Sequence, residues 1–217
     1  MIKCCIFDLD GTLLNTLDDL AASCNYALDL YGYPTYPADA YRHFVGNGVG
    51  VLIERTIPKD ANEEQKQKVR EAFAEHYAQH YLDLTVPYEG IEALLRILKL
   101  QGYQVCVVSN KPHDYSKELL SKIFGEKFFS VIIGATDDMP KKPAPDGVLS
   151  CMKKLNLKPE HCVYIGDSDV DVLTAKNAGI ASIGVAWGFR GEEELKAAGA
   201  GYLVHTPKEI AQLLEKL

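Results

Sequence analysis

The sequence predicts an α/β fold: a parallel sheet with helices on both faces, plus a small all-helical cap inserted after the first strand. Two observations predict it. Short apolar runs of strand type alternate with amphipathic helical stretches over most of the 217 residues, the pattern of a parallel sheet covered on both sides. One interval, Thr16 to Leu84, breaks that alternation and shows only helical spacing.

In chain order, Ile2–Phe7 reads as the first strand. The insert follows, with Leu17, Leu20, Ala21, Cys24, Leu28 and Tyr31 as one apolar stripe. Val69, Ala72, Phe73, His76, Tyr77 and His80 form a second stripe, and Tyr33-Pro34 and Ile57-Pro58 punctuate the interval. The insert is expected to be a second domain, residues 16–84, with hinges near Leu14–Thr16 and Leu84–Tyr88. Residues 1–15 and 85–217 are then the core. There Gln104–Val108, Ser130–Ile133, Cys162–Ile165, Ala181–Val185 and Tyr202–Val204 read as strands. Glu92–Leu100, Tyr115–Phe124, Gly147–Leu155, Val170–Ala178, Glu192–Ala198 and Lys208–Leu217 read as helices between and after them. The arrangement is Rossmann-like. Ligands of such open sheets sit at the carboxyl ends of the strands, so the polar residues following each strand are the first candidates for chemistry.

Composition narrows the function. Hydrophobic residues at 47% and charged residues at 24% are globular values, and 23 basic against 30 acidic residues leave a net charge of −7. Such a chain, without a long Lys/Arg tract, is a poor general binder of nucleic acids or anionic membranes. No segment approaches 18 apolar residues, and the N-terminal apolar run is too short for a signal peptide. The six cysteines fall mostly in apolar runs without CxxC spacing. They read as buried hydrophobes of a reducing cytoplasmic protein, neither a disulfide frame nor a zinc site.

Two strand ends carry paired carboxylates. Asp8 and Asp10 end the first strand in FDLDGTLLNT, where Gly11 allows a turn that would aim the amides of Leu9 through Thr12 at an anion. Clustered carboxylates repel, which implies a divalent cation. Asp167 and Asp171 follow the strand Cys162–Ile165 in GDSDVDVLTAKNAG, and a second pair suits an oxygen-ligated hard cation such as Mg2+. Helix capping by Ser168 or Asp169 is compatible with that reading. Ser109 and Asn110, at the end of Gln104–Val108, can donate to phosphoryl oxygens, and Lys142 in PKKPAPD can neutralise charge among the acids.

Taken together, DLDGT, Ser109, Lys142 before Pro143, and GDSDVD resemble the four motifs of the haloacid dehalogenase-like phosphohydrolase superfamily, in order and across almost the whole chain. FDLDGTLLNT, VGNGVGVLIER, KKPAPD and GVAWGFR are most similar to its bacterial phosphoglycolate phosphatases; Asn15 departs from the Asp common there. The resemblance implies a Mg2+-dependent phosphatase acting on small phosphate monoesters, with 2-phosphoglycolate the leading substrate. Asp8 is expected to be the nucleophile that becomes an aspartyl-phosphate, and Asp10 the acid and then the base. Asp8, the carbonyl of Asp10, and Asp167 are the expected metal ligands, with Asp171 acting through water or from behind. Ser109, Asn110, Lys142 and the amides around Gly11 and Thr12 are expected on the phosphoryl oxygens. Retention of Asp10 favours phosphate chemistry over halide expulsion, which requires no acid.

In the insert, Asn47 and Gly48 lie between helices and are expected to reach the cleft on closure, with Arg42 or Arg55 pairing a substrate carboxylate. His76 and His80, four apart on an apolar face, read as packing rather than ligands. Trp187 reads as packing and Glu192–Glu194 as a solvated helix start. The core motifs equally fit a sugar-phosphate phosphatase, a pyrophosphatase or a phosphoglucomutase. A non-enzymatic phospho-acceptor module like a bacterial receiver is the alternative from another class.

Overall fold

A computed structural model describes all residues, Met1–Leu217. The chain divides into two compact units, Met1–Leu14 with Pro87–Leu217, and Asn15–Val86. It begins with β1 (Cys4–Phe7), β2 (Leu14–Asn15), α1 (Leu17–Leu30), α2 (Tyr41–Phe44), α3 (Val49–Thr56), α4 (Glu63–His80) and β3 (Val86–Pro87). Next come α5 (Ile91–Leu100), β4 (Gln104–Pro112), α6 (His113–Phe124), β5 (Val131–Ala135) and α7 (Asp146–Leu155). Last are β6 (Cys162–Gly166), α8 (Asp169–Ala178), β7 (Ala181–Val185), α9 (Glu192–Ala198), β8 (Tyr202–Val204) and α10 (Pro207–Leu214). No helix is long and apolar enough to cross a membrane.

The first unit is an α/β structure on a six-stranded sheet in the order β5-β4-β1-β6-β7-β8, with every neighbouring pair parallel. The chain builds outward from β1 to one side through β4 and β5, then to the other through β6, β7 and β8. The carboxyl ends of β1, β4 and β6 are therefore neighbours at the point where the strand order reverses, the position that binds ligands in open α/β sheets.

Alternation assigns the side chains. Cys4 and Ile6, Cys106 and Val108, and Cys162 and Tyr164 share one buried cluster with residues of α7 and α8. Cys5 and Phe7, Val105 and Val107, and Val163 and Ile165 point the other way and are equally buried. Burial on both faces explains why these strands are apolar at successive positions.

Several boundaries differ from the sequence reading. β1 begins at Cys4. β4 does not stop at Val108 but runs through Ser109, Asn110 and Lys111 to Pro112, and its register with β5 shifts between Val108 and Pro112. Polar residues that resemble a turn in sequence lie instead on irregular extended backbone. α6 starts at His113, and the last helix ends at Leu214. The two-residue strands β2 and β3, which form a separate sheet where the chain passes between units, are too short for any periodicity to reveal.

The second unit is helical apart from its terminal strand residues. α1 buries Leu17, Leu20, Ala21, Cys24 and Leu28, and α4 buries Val69, Ala72, Phe73 and Tyr77; the two helices pack on one another. Tyr31, in the first stripe, lies just past the last residue of α1 and is exposed. Asp19 is charged and yet buried. Its carboxylate accepts the Leu84 N–H at 3.0 Å, the Thr85 N–H at 2.9 Å and the Thr85 hydroxyl at 2.7 Å. Removing that acceptor strands the buried Thr85 donors, at about 1–3 kcal/mol each, and the more exposed Leu84 N–H at less. Asp19→Ala is therefore expected to destabilise the protein by roughly 2–4 kcal/mol, with Asp19→Asn falling in between, as read from urea unfolding. A midpoint unchanged in Asp19→Ala would show that the three bonds contribute nothing net.

Candidate active site

The turn after β1 is built by its own backbone. Gly11 takes φ +83°, a conformation that L side chains rarely adopt. Its N–H donates to Leu14 O at 2.9 Å, while the N–H groups of Thr12, Leu13 and Leu14 all donate to Leu9 O at 3.0–3.2 Å. This corrects one expectation: the amides of Gly11 and Thr12 close the turn and are not directed at an anion. The Thr12 side chain is also committed, donating to Asp167 Oδ1 at 3.1 Å.

Asp8, Asp167 and Asp171 come together at the carboxyl ends of β1 and β6. They are buried, and carboxylate oxygens of all three lie within 4.8 Å of one another. Lys142 reaches into this group. Its Nζ is 2.8 Å from Asp8 Oδ1, 2.7 Å from Asp171 Oδ1 and 3.1 Å from the Tyr164 hydroxyl. Tyr164 in turn donates to Val108 O at 2.5 Å, which fixes the phenol from the strand side. Asp167 Oδ2 accepts the Phe189 N–H at 2.7 Å. Asp171 Oδ2 accepts the Ser168 N–H at 3.1 Å and the Ser168 hydroxyl at 2.7 Å, so the first turn of α8 is capped by the same carboxylate that holds Lys142.

The electrostatics are unbalanced. Three buried carboxylates face one ammonium. Burial pushes the Asp8 carboxyl up to about 6; Lys142 draws it back, and Asp171 adds to the rise. Burial also raises Asp167 well above the carboxylate range, with Asp171 and Asp8 contributing and the Phe189 N–H and Thr12 hydroxyl opposing. Lys142 is held well above the ordinary lysine value: burial opposes its charge, but Asp171 and Asp8 outweigh it.

Asp8 Oδ1 is at ion-pair distance from Lys142 yet accepts no aligned hydrogen bond. A buried, under-satisfied oxygen in an acid cluster fits a hard divalent cation with oxygen ligands. The surrounding backbone leaves no space for side chains there. A Cβ at Gly11 or Gly188 would collide with Asp167, and one at Gly166 with Asp171.

Asp10 stands apart from the cluster. Its carboxylate pairs with Lys111, whose Nζ lies 3.0 Å from Oδ1 and 3.4 Å from Oδ2. Of the expected metal ligands, Asp10 could therefore take part only through its main chain. Ser109 is buried at the end of the regular part of β4, and its hydroxyl accepts the Lys111 N–H at 3.4 Å. Asn110 differs from expectation. Its carboxamide accepts the Lys142 N–H at 2.8 Å and donates to Lys142 O at 3.1 Å. It positions the lysine's backbone, where direct contact with phosphoryl oxygens was expected of it.

Sequence reasoning missed four contributors. Lys111 directly follows Ser109 and Asn110 but was given no role. Tyr164 lay in an apolar strand that gave no sign of its hydroxyl's task. Phe189 acts through its backbone, which no side-chain pattern reveals. Trp187 does more than pack: its Nε1–H donates to Thr12 O at 3.1 Å, bracing the Asp8 turn.

Asn47 and Gly48 belong to the second unit, where Gly46 and Gly48 take φ +106° and +87° ahead of α3. The two arginines considered with them have other partners. Arg55 donates to His43 O and Phe44 O, both at 3.1 Å, satisfying carbonyls at the end of α2. Arg42 pairs with Asp39 at 2.7 Å. His76 meets Ser23 Oγ at 3.0 Å and His80 meets Asp83 Oδ2 at 2.7 Å, and the two rings stack.

Comparison with known proteins shows the family. Residues 5–185 match the profile of the haloacid dehalogenase-like hydrolases. The chain is 34% identical to a phosphoglycolate phosphatase of Vibrio parahaemolyticus, across 98% of this chain and 96% of that protein. It is 31% identical to one of Aquifex aeolicus, across 97% and 95%. Its fold matches the crystal structure of a predicted phosphoglycolate phosphatase from Haemophilus somnus with a TM-score of 0.92, at 28% identity and 98% coverage of both chains. A predicted phosphatase from Clostridium acetobutylicum gives a TM-score of 0.90 at 29% identity, with each chain fully covered. The chain is a hydrolase and belongs to the haloacid dehalogenase-like family.

Proposed function

We propose that this hydrolase is a Mg2+-dependent phosphatase of small phosphate monoesters that works through an aspartyl-phosphate on Asp8, with 2-phosphoglycolate as its leading substrate. The observation that carries the reading is the convergence of Asp8, Asp167 and Asp171 within 4.8 Å around the Lys142 ammonium. The names of the relatives support the choice of substrate.

The contacts support the following roles. Asp8, buried and flanked by Lys142, is the nucleophile. It attacks phosphorus in line, and the ester oxygen leaves with the electron pair. Asp10, outside the acid cluster and held by Lys111, delivers a proton to that oxygen. It then takes a proton from the water that hydrolyses the aspartyl-phosphate. Lys142 and Ser109 meet the phosphoryl oxygens, and Asn110 and Tyr164 keep Lys142 aimed. Asp8, Asp167 and the Asp10 carbonyl would hold Mg2+, with Asp171 behind them; when bound, the ion offsets the negative charge of nucleophile and phosphate. The helical unit is assigned the choice of substrate, with Asn47 and Gly48 as its candidate substrate contacts. The reaction suits a reducing cytoplasm, in keeping with six free, buried cysteines.

Phosphate release is expected from 2-phosphoglycolate with Mg2+, and not with chelator. A screen that includes pyrophosphate and hexose phosphates decides between this substrate and the neighbouring enzyme types. A protein that merely becomes and stays phosphorylated would be an acceptor module. Asp8→Asn and Asp10→Asn are expected to lower kcat by roughly three orders of magnitude or more while circular dichroism stays native. Near-native turnover in Asp8→Asn would remove the nucleophile.

The cation reading has its own test. An Asp8 pKa raised to about 6 means that, between the ordinary carboxylate value and about 6, the folded chain keeps a proton the unfolded chain has lost. Metal-free stability then falls as pH rises through that window. Mg2+ competes with that proton, so its stabilisation should grow over the same window. At a hundred times the dissociation constant it amounts to about 2.7 kcal/mol. A thermal shift equal at pH 5 and pH 7.5, or unchanged in Asp167→Asn, would refute a cation at these carboxylates.

A further inference from the structure

The other end of the same strands holds a second convergence, made of sulfur. Cys4 opens β1, and Cys162 opens β6 beside it in register. Cys106 lies on β4, on the opposite side of β1, and Cys151 reaches in from α7. All four are free and buried, and all belong to the apolar cluster under α7 and α8. The sulfurs of Cys4, Cys106 and Cys151 lie within 4.8 Å of one another, with Cys4 and Cys106 at 3.7 Å.

Those distances resemble a metal site more than incidental packing. Metal–sulfur bonds of about 2.3 Å place the sulfurs of a tetrahedral or trigonal centre roughly 3.8–4.0 Å apart. Cys4 and Cys106, at 3.7 Å, stand close to that span, and the Cys151 sulfur lies within 4.8 Å of both. The chemistry of the lining is selective too. The sulfurs share an apolar cluster with Ile6, Val108, Val148 and Met152, and the hydroxyl of Tyr164 in that cluster is committed to Val108 O and Lys142. Thiolate donors favour soft, thiophilic cations over hard ones.

We propose that Cys4, Cys106 and Cys151, with Cys162 as a fourth donor at hand, form a structural site for a soft d10 cation of the zinc class. Each ligating thiol loses its proton to solvent as its metal–sulfur bond forms, and no electron is transferred. The site ties β1, β4 and α7 together from three distant parts of the chain. Because every sulfur is buried, the ion is taken up as the chain folds. It is independent of the carboxylate cluster, which lies at the opposite strand ends and prefers hard cations.

The test uses the full-length chain, refolded from denaturant under a thiol reductant with Zn2+ and passed through a chelator that strips accessible ions. Elemental analysis and native mass spectrometry are expected to find one zinc per chain. Cd2+ in its place is expected to give a thiolate-to-metal absorption band in the ultraviolet. Cys106→Ser and Cys151→Ala lose the ion and the band. Cys24→Ser, a buried cysteine of the helical unit, and Asp167→Asn keep both. Wild-type protein that retains no zinc, or variants at Cys106 and Cys151 that retain as much as wild type, would overturn the site and leave the thiols as packing groups. Should Cys106→Ser fail to fold, the wild-type Cd2+ band still decides, since its absence overturns the proposal by itself.

Discussion

Mutual repulsion among buried carboxylates is the constraint around which the core unit is organised. Asp8, Asp167 and Asp171 are drawn out of water to within 4.8 Å of one another, an arrangement that costs stability unless each charge is met. Much of the surrounding structure supplies that compensation. Lys142 serves two of the acids, and the Thr12 hydroxyl and Phe189 N–H serve the third. Ser168 completes Asp171 from the first turn of α8. Even the glycines belong to this scheme, since a methyl group at Gly11, Gly166 or Gly188 would occupy the space of the acids.

Strand order makes the convergence possible without strain on any single segment. β1 sits between β4 and β6, so the ends of three strands deliver an acid, a hydroxyl with an amide, and a second acid pair to one place. The alternation of a strand then separates functions along each rung. On β6, Cys162 and Tyr164 turn toward α7 and α8, while Val163 and Ile165 fill the opposite face. Tyr164 is thus a core residue by position and a support for Lys142 by its hydroxyl. The last interaction crosses from sheet to loop: Asn110 on β4 holds both the N–H and the carbonyl of Lys142.

The residues legible in the sequence were those whose chemistry is local. An acid pair beside a glycine at a strand end, repeated at a second strand end, announces itself through residue type and spacing, and Asp8, Asp167 and Asp171 do converge. What stayed hidden was whatever depends on the third dimension. The amides of Gly11 and Thr12 looked available because their acceptors, Leu14 O and Leu9 O, appear only when the turn closes. Lys111 went unassigned because the continuation of β4 past a register shift leaves no hydrophobic signal. Asp19 sat unremarked on a helix because its partners, Leu84 and Thr85, lie 65 and 66 residues away. The fold class, by contrast, rests on the alternation of strands and helices, which survives errors of two or three residues at each boundary.

The two buried lysines of the core divide the acids between them, and that division shapes how the cleft meets an anion. Lys142 is committed to Asp8 and Asp171, and Lys111 to Asp10. Four carboxylates therefore face two ammonium groups, and neither lysine stands as a surplus positive charge for a phosphate to find. A pocket of this kind is a weak anion receptor by its side chains alone, unlike a basic phosphate site built from unpaired arginines. A divalent cation would supply the positive charge that the two lysines leave lacking. The acid-rich cleft and the demand for such an ion are thus two aspects of a single charge balance, in which Lys111 answers Asp10 and Lys142 answers Asp8 and Asp171.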